Sequence, residues 1–499
     1  MKLLVWNDVN LLFYGIACFF NNNKNYEVSI IHDLTDDLKQ IFQNGKKNIF
    51  HNEWYFWDEI SWQNKKPDIE YLKKIEEKYK IKIWTDISNE RLFGKGNSYY
   101  KFNYEQILSI IENECKFFEK VLDEIKPDFL IIKHTDYHRN HLLAEICGSR
   151  GIKVFMLMPS LVGYRTIIVD EKLNIHSGPG LQEKFLDNIN NFEQLLESLK
   201  KFSKYDQTKQ VIAGGGKIPI SKKILITLKW LLSPISKEDS KRYDYYGATK
   251  TNTLFKRIRL GIIKRSRESF IDKNFSRTVT NNKFIYFPLH VDPERTISID
   301  APYQTNQLEV IMNIVKSMPI DYILYVKEHH NQRYRNWREL SFYKSLIDLP
   351  NVKLIHHEVN PSEILQKASL IITITGTSGF EGLLYQKPAI TLADVSYMRL
   401  SSVFRIEKME ELPSVIKKML GVRVDFNELK EFVETILKNS FEFNLTNTIN
   451  DIQSKFQHGG FSIRKDITIT EIDQYFEQNH SILLRLYEEC EYRIKKNFK

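Results

Sequence analysis

Three short runs in the second half of this 499-residue chain carry side chains able to hold a phosphate. They are Pro288-Leu289-His290-Val291-Asp292-Pro293-Glu294-Arg295, Lys327-Glu328-His329-His330 and Gly376-Thr377-Ser378-Gly379. Lys327 and His329 can neutralise an anion, and the hydroxyls of Thr377 and Ser378 can donate to it. In the third run, TITGTSGFEGLLYQKPAITLA (373–393), an apolar stretch stops at Gly376 and a helix-like segment carrying Glu381 follows. Strand, Gly/Ser/Thr turn and helix in that order aim backbone N–H groups at one point, where phosphate binds best. Glu381, one turn into that helix, is placed to accept from ribose hydroxyls.

A fourth run, Lys133-His134-Thr135-Asp136-Tyr137-His138-Arg139-Asn140-His141, lies between a buried-type strand and a helix in the first half. Transfer to a hydroxyl needs a carboxylate or imidazole to take its proton. Asp136 is the first candidate, His138 the next, and Asp8, after the first strand, the third. Asp136 reads equally well as the N-cap of the following helix. His134, His138 and His141, at i, i+4 and i+7, raise the question of a metal. No second cluster accompanies them, and no metal or other cofactor is expected.

These runs need elements to position them. Residues 3–6 and 26–31 read as strands, and 104–125 repeats apolar residues on one helix face (Ile107, Ile110, Ile111, Phe118, Val121, Leu122, Ile125). Pro127 ends that helix, 129–132 is a buried-type strand, 141–149 a helix, and 154–158 the next strand. The second half repeats the pattern, with strands at 284–288, 322–326, 352–355 and 370–374 and helices at 304–316 and 362–367. Residues from 406 onward are mainly helical. Alternation with short connections predicts parallel sheets, whose strand ends share one edge. His290, Asp292 and Glu294 then converge with Lys327, His329, Gly376, Thr377 and Ser378 on one crevice.

The expected fold is therefore α/β, with two Rossmann-like doubly wound domains, a helical insertion or linker and a helical C-terminus. The expected boundaries are 1–200, an α/β domain; 201–280, a basic helical insertion; and 281–499, an α/β domain holding a nucleotide or phosphorylated sugar, with a helical tail. Between two such domains lies a cleft, the usual place for a ligand.

Composition agrees with a large globular chain: 42% hydrophobic and 27% charged residues at a length too great for one ordinary core. Cys18, Cys115, Cys147 and Cys490 form no CxxC pair, which points to a reducing compartment and away from structural zinc. The N-terminal MKLLVWNDVNLLFYGIACFF is interrupted by Asn7, Asp8 and Asn10 and reads as strand then helix, not as a leader. No apolar run approaches the ~20 residues of a membrane span. A cytoplasmic protein is expected, soluble or at most peripheral to the inner face of the cell membrane. The net charge of +9 is concentrated in 250–277, with Lys250, Lys256, Arg257, Arg259, Lys264, Arg265, Arg267, Lys273 and Arg277. Just upstream, ISKKILITLKWLLSPISK (220–237) mixes aliphatic residues and Trp230 with lysines. The two together either lie on an anionic membrane surface or form a solvated linker face. No nucleic-acid reader motif accompanies the charge.

The second half resembles the capsule polysaccharide biosynthesis family of glycosyltransferase-B-like sugar transferases. The resemblance rests on YFPLHVDPERT (286–296), YVKEHH (325–330) and TGTSGFEGLLYQKPAI (375–390). It is also similar to bacterial sialyltransferases and Kdo transferases, which pair a His-Pro motif with a Ser/Thr motif on the phosphate of a CMP-sugar. The resemblance implies that His329 takes the histidine's place and Thr377 with Ser378 the hydroxyl motif; His330 stands where the family has proline. It further implies metal-independent transfer of a CMP-activated Kdo- or nonulosonic-type sugar to a surface polysaccharide or glycoconjugate. Two alternatives stay open: a sugar-nucleotide epimerase acting on a UDP-sugar, and a non-catalytic polysaccharide-assembly protein.

Overall fold

The computed structural model of the protein describes residues 1–34, 36–45, 50–60, 66–88, 90–93, 100–179, 186–200, 220–232, 249–280, 282–456 and 467–497. Two sheets organise it. The first has the order β13-β6-β5-β4-β1-β2-β3. Its strands are β1 (Lys2–Asn7), β2 (Glu27–His32), β3 (Asn52–Tyr55), β4 (Phe129–Lys133), β5 (Lys153–Pro159), β6 (Arg165–Val169) and β13 (Phe441–Glu442). The second is parallel throughout, in the order β12-β11-β10-β7-β8-β9. It is built from β7 (Phe284–Pro288), β8 (Ile323–Lys327), β9 (Val352–Ile355), β10 (Leu370–Thr373), β11 (Ala389–Thr391) and β12 (Val403–Arg405).

Both sheets are doubly wound. In the first, β1 pairs in parallel with β2 on one side and β4 on the other. In the second, β7 pairs in parallel with β8 and β10. Each sheet therefore reverses direction beside its first strand, and the crevice outside the carboxyl ends at that point is where ligands settle. The central strands are apolar and buried along nearly their whole length (FLIIK in β4, FIYFP in β7), as strands covered on both faces must be. The helix Tyr104–Ile125 covers one face of the first sheet, its start fixed by an Asn103/Gln106 capping box.

The chain trace departs from the expected boundaries at three places. Parts of the chain on either side of β6, placed in the first domain by sequence, pack instead on the second: Val162, Leu186 and Leu195 lie in one cluster with Phe380 and Phe432. The terminal helices Leu445–Phe456, Ile469–Gln478 and His480–Asn497, placed with the second domain, pack on the first sheet against Phe13, Phe20 and Val28. The strand β13 leads them there, pairing Phe441 and Glu442 with Thr166 and Arg165 of β6. In the expected insertion, the helix Lys250–Asn274 ends on the second domain, where Ile271 and Phe275 join its core and Arg267 donates to the carbonyls of Asn336 and Trp337. The Gly214–Gly216 run lies outside the described residues.

Candidate functional site

The second-domain wall is built at the β7/β10 switch point. His290, two residues past β7, is held through its backbone: its N–H donates to Gln307 Oε1 at 2.9 Å and its carbonyl accepts from Gln307 Nε2 at 3.3 Å and from Arg338. That clamp sets the imidazole beneath the turn after β10, with Nε2 3.3 Å from Thr373 Oγ1 and accepting from the Thr375 N–H at 3.4 Å. Burial, then the neighbouring His329 and Arg338, draw its pKa down to about 3, so the ring is neutral with its proton on Nδ1. Gly376 lies directly over it. A Cβ there would meet Thr373 Oγ1 at 2.6 Å and His290 Cε1 at 3.1 Å, so only glycine lets the turn come this close. Tyr397 donates its hydroxyl to the Gly376 carbonyl, and Thr375 Oγ1 donates to the Thr296 carbonyl at 3.0 Å, tying the turn to the β7 loop. The helix Ser378–Leu384 begins at this turn with no side-chain cap, and Thr377 Oγ1 donates to Glu381 Oε1 at 3.0 Å.

Beside it, the end of β8 differs from the sequence expectation. Lys327 is buried and donates to the His357 carbonyl at 3.0 Å, on the inside of the fold. Burial, only partly opposed by Glu328, takes its pKa down to about 8. It is a structural donor and not the expected phosphate partner. Glu328, fully buried, accepts from Arg338 Nε at 3.0 Å, Tyr343 Oη at 2.6 Å and the His329 N–H at 2.8 Å. Asp292 stands 3.5 Å from the same Arg338, and its N–H donates to Gln332 Oε1 at 2.9 Å, so it braces the wall. His329 is exposed. Its Nδ1 accepts from the Asn331 N–H at 3.1 Å, which puts its proton on Nε2. Crowding by protein, then Lys327, His330 and Arg338, keep it below the ordinary histidine value, so it offers an N–H and not a charge.

The first-domain wall is built at the β1/β4 switch point. Asp8, just past β1, accepts from the N–H and the side-chain amide of Asn10, both at 2.9 Å. Lys133, at the end of β4, donates to Asp136 Oδ2 at 2.8 Å and acts electrostatically on Asp8. The two carboxylates diverge. Burial raises Asp8 further than Lys133 can lower it. For Asp136 burial also raises, but Lys133, Arg91 and His134 outweigh it and the pKa falls. Its side chain is 42% exposed, so only the direction matters. Arg91 donates to the Asp136 carbonyl and lies 4.4 Å over the Tyr137 ring.

The second domain reaches this group. Glu294 is raised by burial and then by the charge of Asp136; Arg335 is lowered by burial and then by Arg91. Arg295 bridges directly, its Nε donating to Thr135 Oγ1 at 3.1 Å while Asp300 accepts two bonds from it at 2.6 and 2.8 Å. Asp8, Asp136, Glu294, His290, His329, Gly376, Thr377, Ser378 and Glu381 are thus distributed over two facing walls.

His138 is not among them. The helix begins at His138 itself, which turns the ring inward between Glu90 (3.3 Å) and Glu114 (3.1 Å). Burial would lower its pKa, but Glu114 and Glu90 lift it to about 9. A buried, charged imidazolium between two carboxylates cannot accept a substrate proton, so the expected role as base is overturned. Sequence reasoning also passed over Arg91, Gln307, Arg335, Arg338 and Tyr397. Arg91 sits in a stretch without periodicity, and the others contribute through contacts that no spacing encodes.

A cavity of about 600 Å³ opens further along the same edge of the first sheet. Tyr164, Asn444, Asn447, Asp451, Tyr475 and Arg485 are among its lining residues. Gln453, on the helix that carries Asn447 and Asp451, donates to Asn10 Oδ1 at 2.6 Å, one hydrogen bond from Asp8.

Residues 229–399 match the family described as capsule polysaccharide biosynthesis protein. The matched stretch is about a third of the chain. It contains every second-domain residue of the site, from His290 to Glu381. A curated relative, protein FixF of Sinorhizobium fredii, is 26% identical over 136 residues, 27% of this chain and 32% of FixF. The matched part thus spans about a third of that relative's length. Among solved structures, the UDP-GlcNAc 2-epimerase of Methanocaldococcus jannaschii is similar at 12% identity, over 85% of this chain and 94% of its own, with a TM-score of 0.25. The β-Kdo 2,7-transferase KpsC of Thermosulfurimonas dismutans is similar at 13% identity, over 67% and 84%, with a TM-score of 0.32. At such values neither bears on substrate or reaction. No helix among the described residues is long and apolar enough to cross a membrane.

Proposed function

We propose that the protein is a glycosyltransferase of capsule assembly, moving a sugar from a nucleotide donor to a glycan or glycoconjugate acceptor. One observation carries this reading: two topological switch points face each other across a cleft, and Arg295 of one wall bonds Thr135 of the other. In this reading the donor lies on the second-domain wall. Its phosphate lies over the Gly376 turn and takes the N–H groups of Thr377 and Ser378, the Ser378 hydroxyl and the Nε2–H of His329, while Glu381 faces the ribose. Fixed neutral donors stabilise the leaving phosphate, with no metal in the transfer step. The donor is a CMP-activated Kdo- or nonulosonic-type sugar.

Asp8 is the better base. Its proton affinity is raised where that of Asp136 is lowered, and a base must want the proton it takes. The acceptor chain extends from Asp8 into the 600 Å³ cavity, whose Tyr, Asn and Asp side chains suit sugar faces and hydroxyls. The helix Lys250–Asn274 exposes Phe255 (72%), Ile258 and Ile262 amid lysines and arginines, which supports peripheral contact with an anionic membrane at its inner face.

Thermal-shift measurements with CMP, UDP and GDP, followed by transfer assays with the matching sugar donor and a capsule glycan, test this. Stabilisation by CMP and acceptor-dependent turnover are expected. Turnover of a UDP-sugar without acceptor would establish the epimerase reading instead. An unimpaired capsule in a strain carrying His329→Ala would leave only a non-catalytic role.

A further inference from the structure

We infer that Asp86, His141 and Glu145 form a site for one first-row divalent cation of the zinc type, clipping the helix Ile83–Ser88 to the helix His138–Ser149. His141 and Glu145, four residues apart, share one helix face, and Asp86 meets them from the facing helix. His141 Nε2 lies 3.6 Å from Glu145 Oε1 and 3.8 Å from Asp86 Oδ1, and one ligand atom from each residue falls within 4.8 Å of the others. These separations exceed a hydrogen bond. They approach the edge of about 3.3 Å expected when three ligands surround zinc at ~2.0–2.1 Å.

A second observation points to a missing partner. Asp86 Oδ2 and Glu145 Oε2 are buried without any hydrogen bond. The His141 side chain, only 9% exposed, makes no hydrogen bond among the described residues. Arg295 and Glu171 also act on the group, towards His141 and Glu145 respectively. Other charges facing the group are Glu76 and His138 towards Asp86 and Lys172 towards Glu145. The positive charge of Arg295 is already answered by Asp300.

One imidazole with two carboxylates suits zinc among the biological divalent ions and leaves a position for water. Such a cation would brace the first-domain wall. Near this helix in sequence are Glu90, which accepts the His138 N–H at 2.7 Å, and Arg91, which donates to the Asp136 carbonyl. The site uses His141 alone of the three histidines spaced i, i+4 and i+7, and it is independent of the sugar-transfer reading.

The test is calorimetric titration of zinc sulfate into the chelator-treated full chain, beside Asp86→Asn, His141→Gln and Glu145→Gln. One equivalent is expected in the parent protein, with affinity falling as pH is lowered, since ligands must be deprotonated to bind. Each variant should bind roughly 100-fold more weakly or worse. Absence of saturable binding by the parent protein, or equal affinity in folded variants, would overturn the site. If the variants do not fold, cobalt(II) added to the parent protein decides: visible bands of a tetrahedral N/O site are expected, and an unchanged aquo-ion spectrum would refute it.

Discussion

The two walls of the cleft occupy equivalent places in their sheets yet present different chemistry. The second-domain wall has its charges answered internally. Arg338 is held by Glu328, Lys327 by the His357 carbonyl, and His290 and His329 are neutral. What it offers a ligand is fixed N–H and hydroxyl geometry. The first-domain wall keeps charge in play, with one lysine shared between two carboxylates and two arginines near them. The difference comes from what lies behind each strand end. A fully buried glutamate holds the arginine of one wall, whereas the lysine of the other bonds a half-exposed carboxylate. A crevice at a switch point is given by topology; whether it supplies shape or charge is decided one layer deeper.

The largest test of this contrast is Asp8→Asn. If the first-domain wall supplies the base, initial transfer rates should drop about a thousandfold, equivalent to ~4 kcal/mol, with an unchanged melting temperature. Asp136→Asn should lose less, since that carboxylate is held ionised by Lys133 and acts by orienting it. A larger loss at Asp136 than at Asp8 would reverse the ranking. Next comes Arg338→Met in the other wall. It strands Glu328 in the core, so urea unfolding should show a loss of about 3 kcal/mol or more. Loss of activity without loss of stability would mean that Arg338 contacts the ligand and that this wall supplies charge after all.

Much of the second-domain wall was legible because three continuous apolar strands each end in Pro, Lys or Gly/Thr, and parallel strands deliver their ends to one edge. The direction of Lys327 was not. It is the last residue of β8, and nothing in YVKEHH says that its amine meets a carbonyl thirty residues away. The first-domain wall was read less well for a local reason. Its helix starts three residues earlier than the apolar pattern suggests, and those residues include His138. The terminal helices were visible as amphipathic segments, but an apolar face does not name the sheet it will cover. That choice is made by the two-residue strand β13, too short to register in a periodicity. Asp86 and Arg91 lie where no period runs, so neither the proposed metal clip nor the arginine beside Tyr137 could be anticipated.

The smallest expected effect separates structure from catalysis within the first-domain wall. His138 titrates at about 9 when folded and near 6.5 in an unfolded chain, so the folded state holds the proton more tightly. Its contribution is fully present below about pH 6.5 and is lost as pH rises through about 9, because over that window folding must take up a proton that the unfolded state no longer carries. Near the acid end of the range, Glu90, whose pKa burial raises but His138 and Arg91 bring down to about 2, remains ionised and keeps the pair intact. His138→Gln should therefore cost on the order of 1 kcal/mol at pH 6 in urea unfolding, with the gap from the parent protein narrowing towards pH 9. The pH–rate profile of the variant should keep its shape, because the ring reaches no cleft atom. A profile that loses its alkaline or acidic limb in His138→Gln would return this histidine to the chemistry and make the first-domain wall a two-base site.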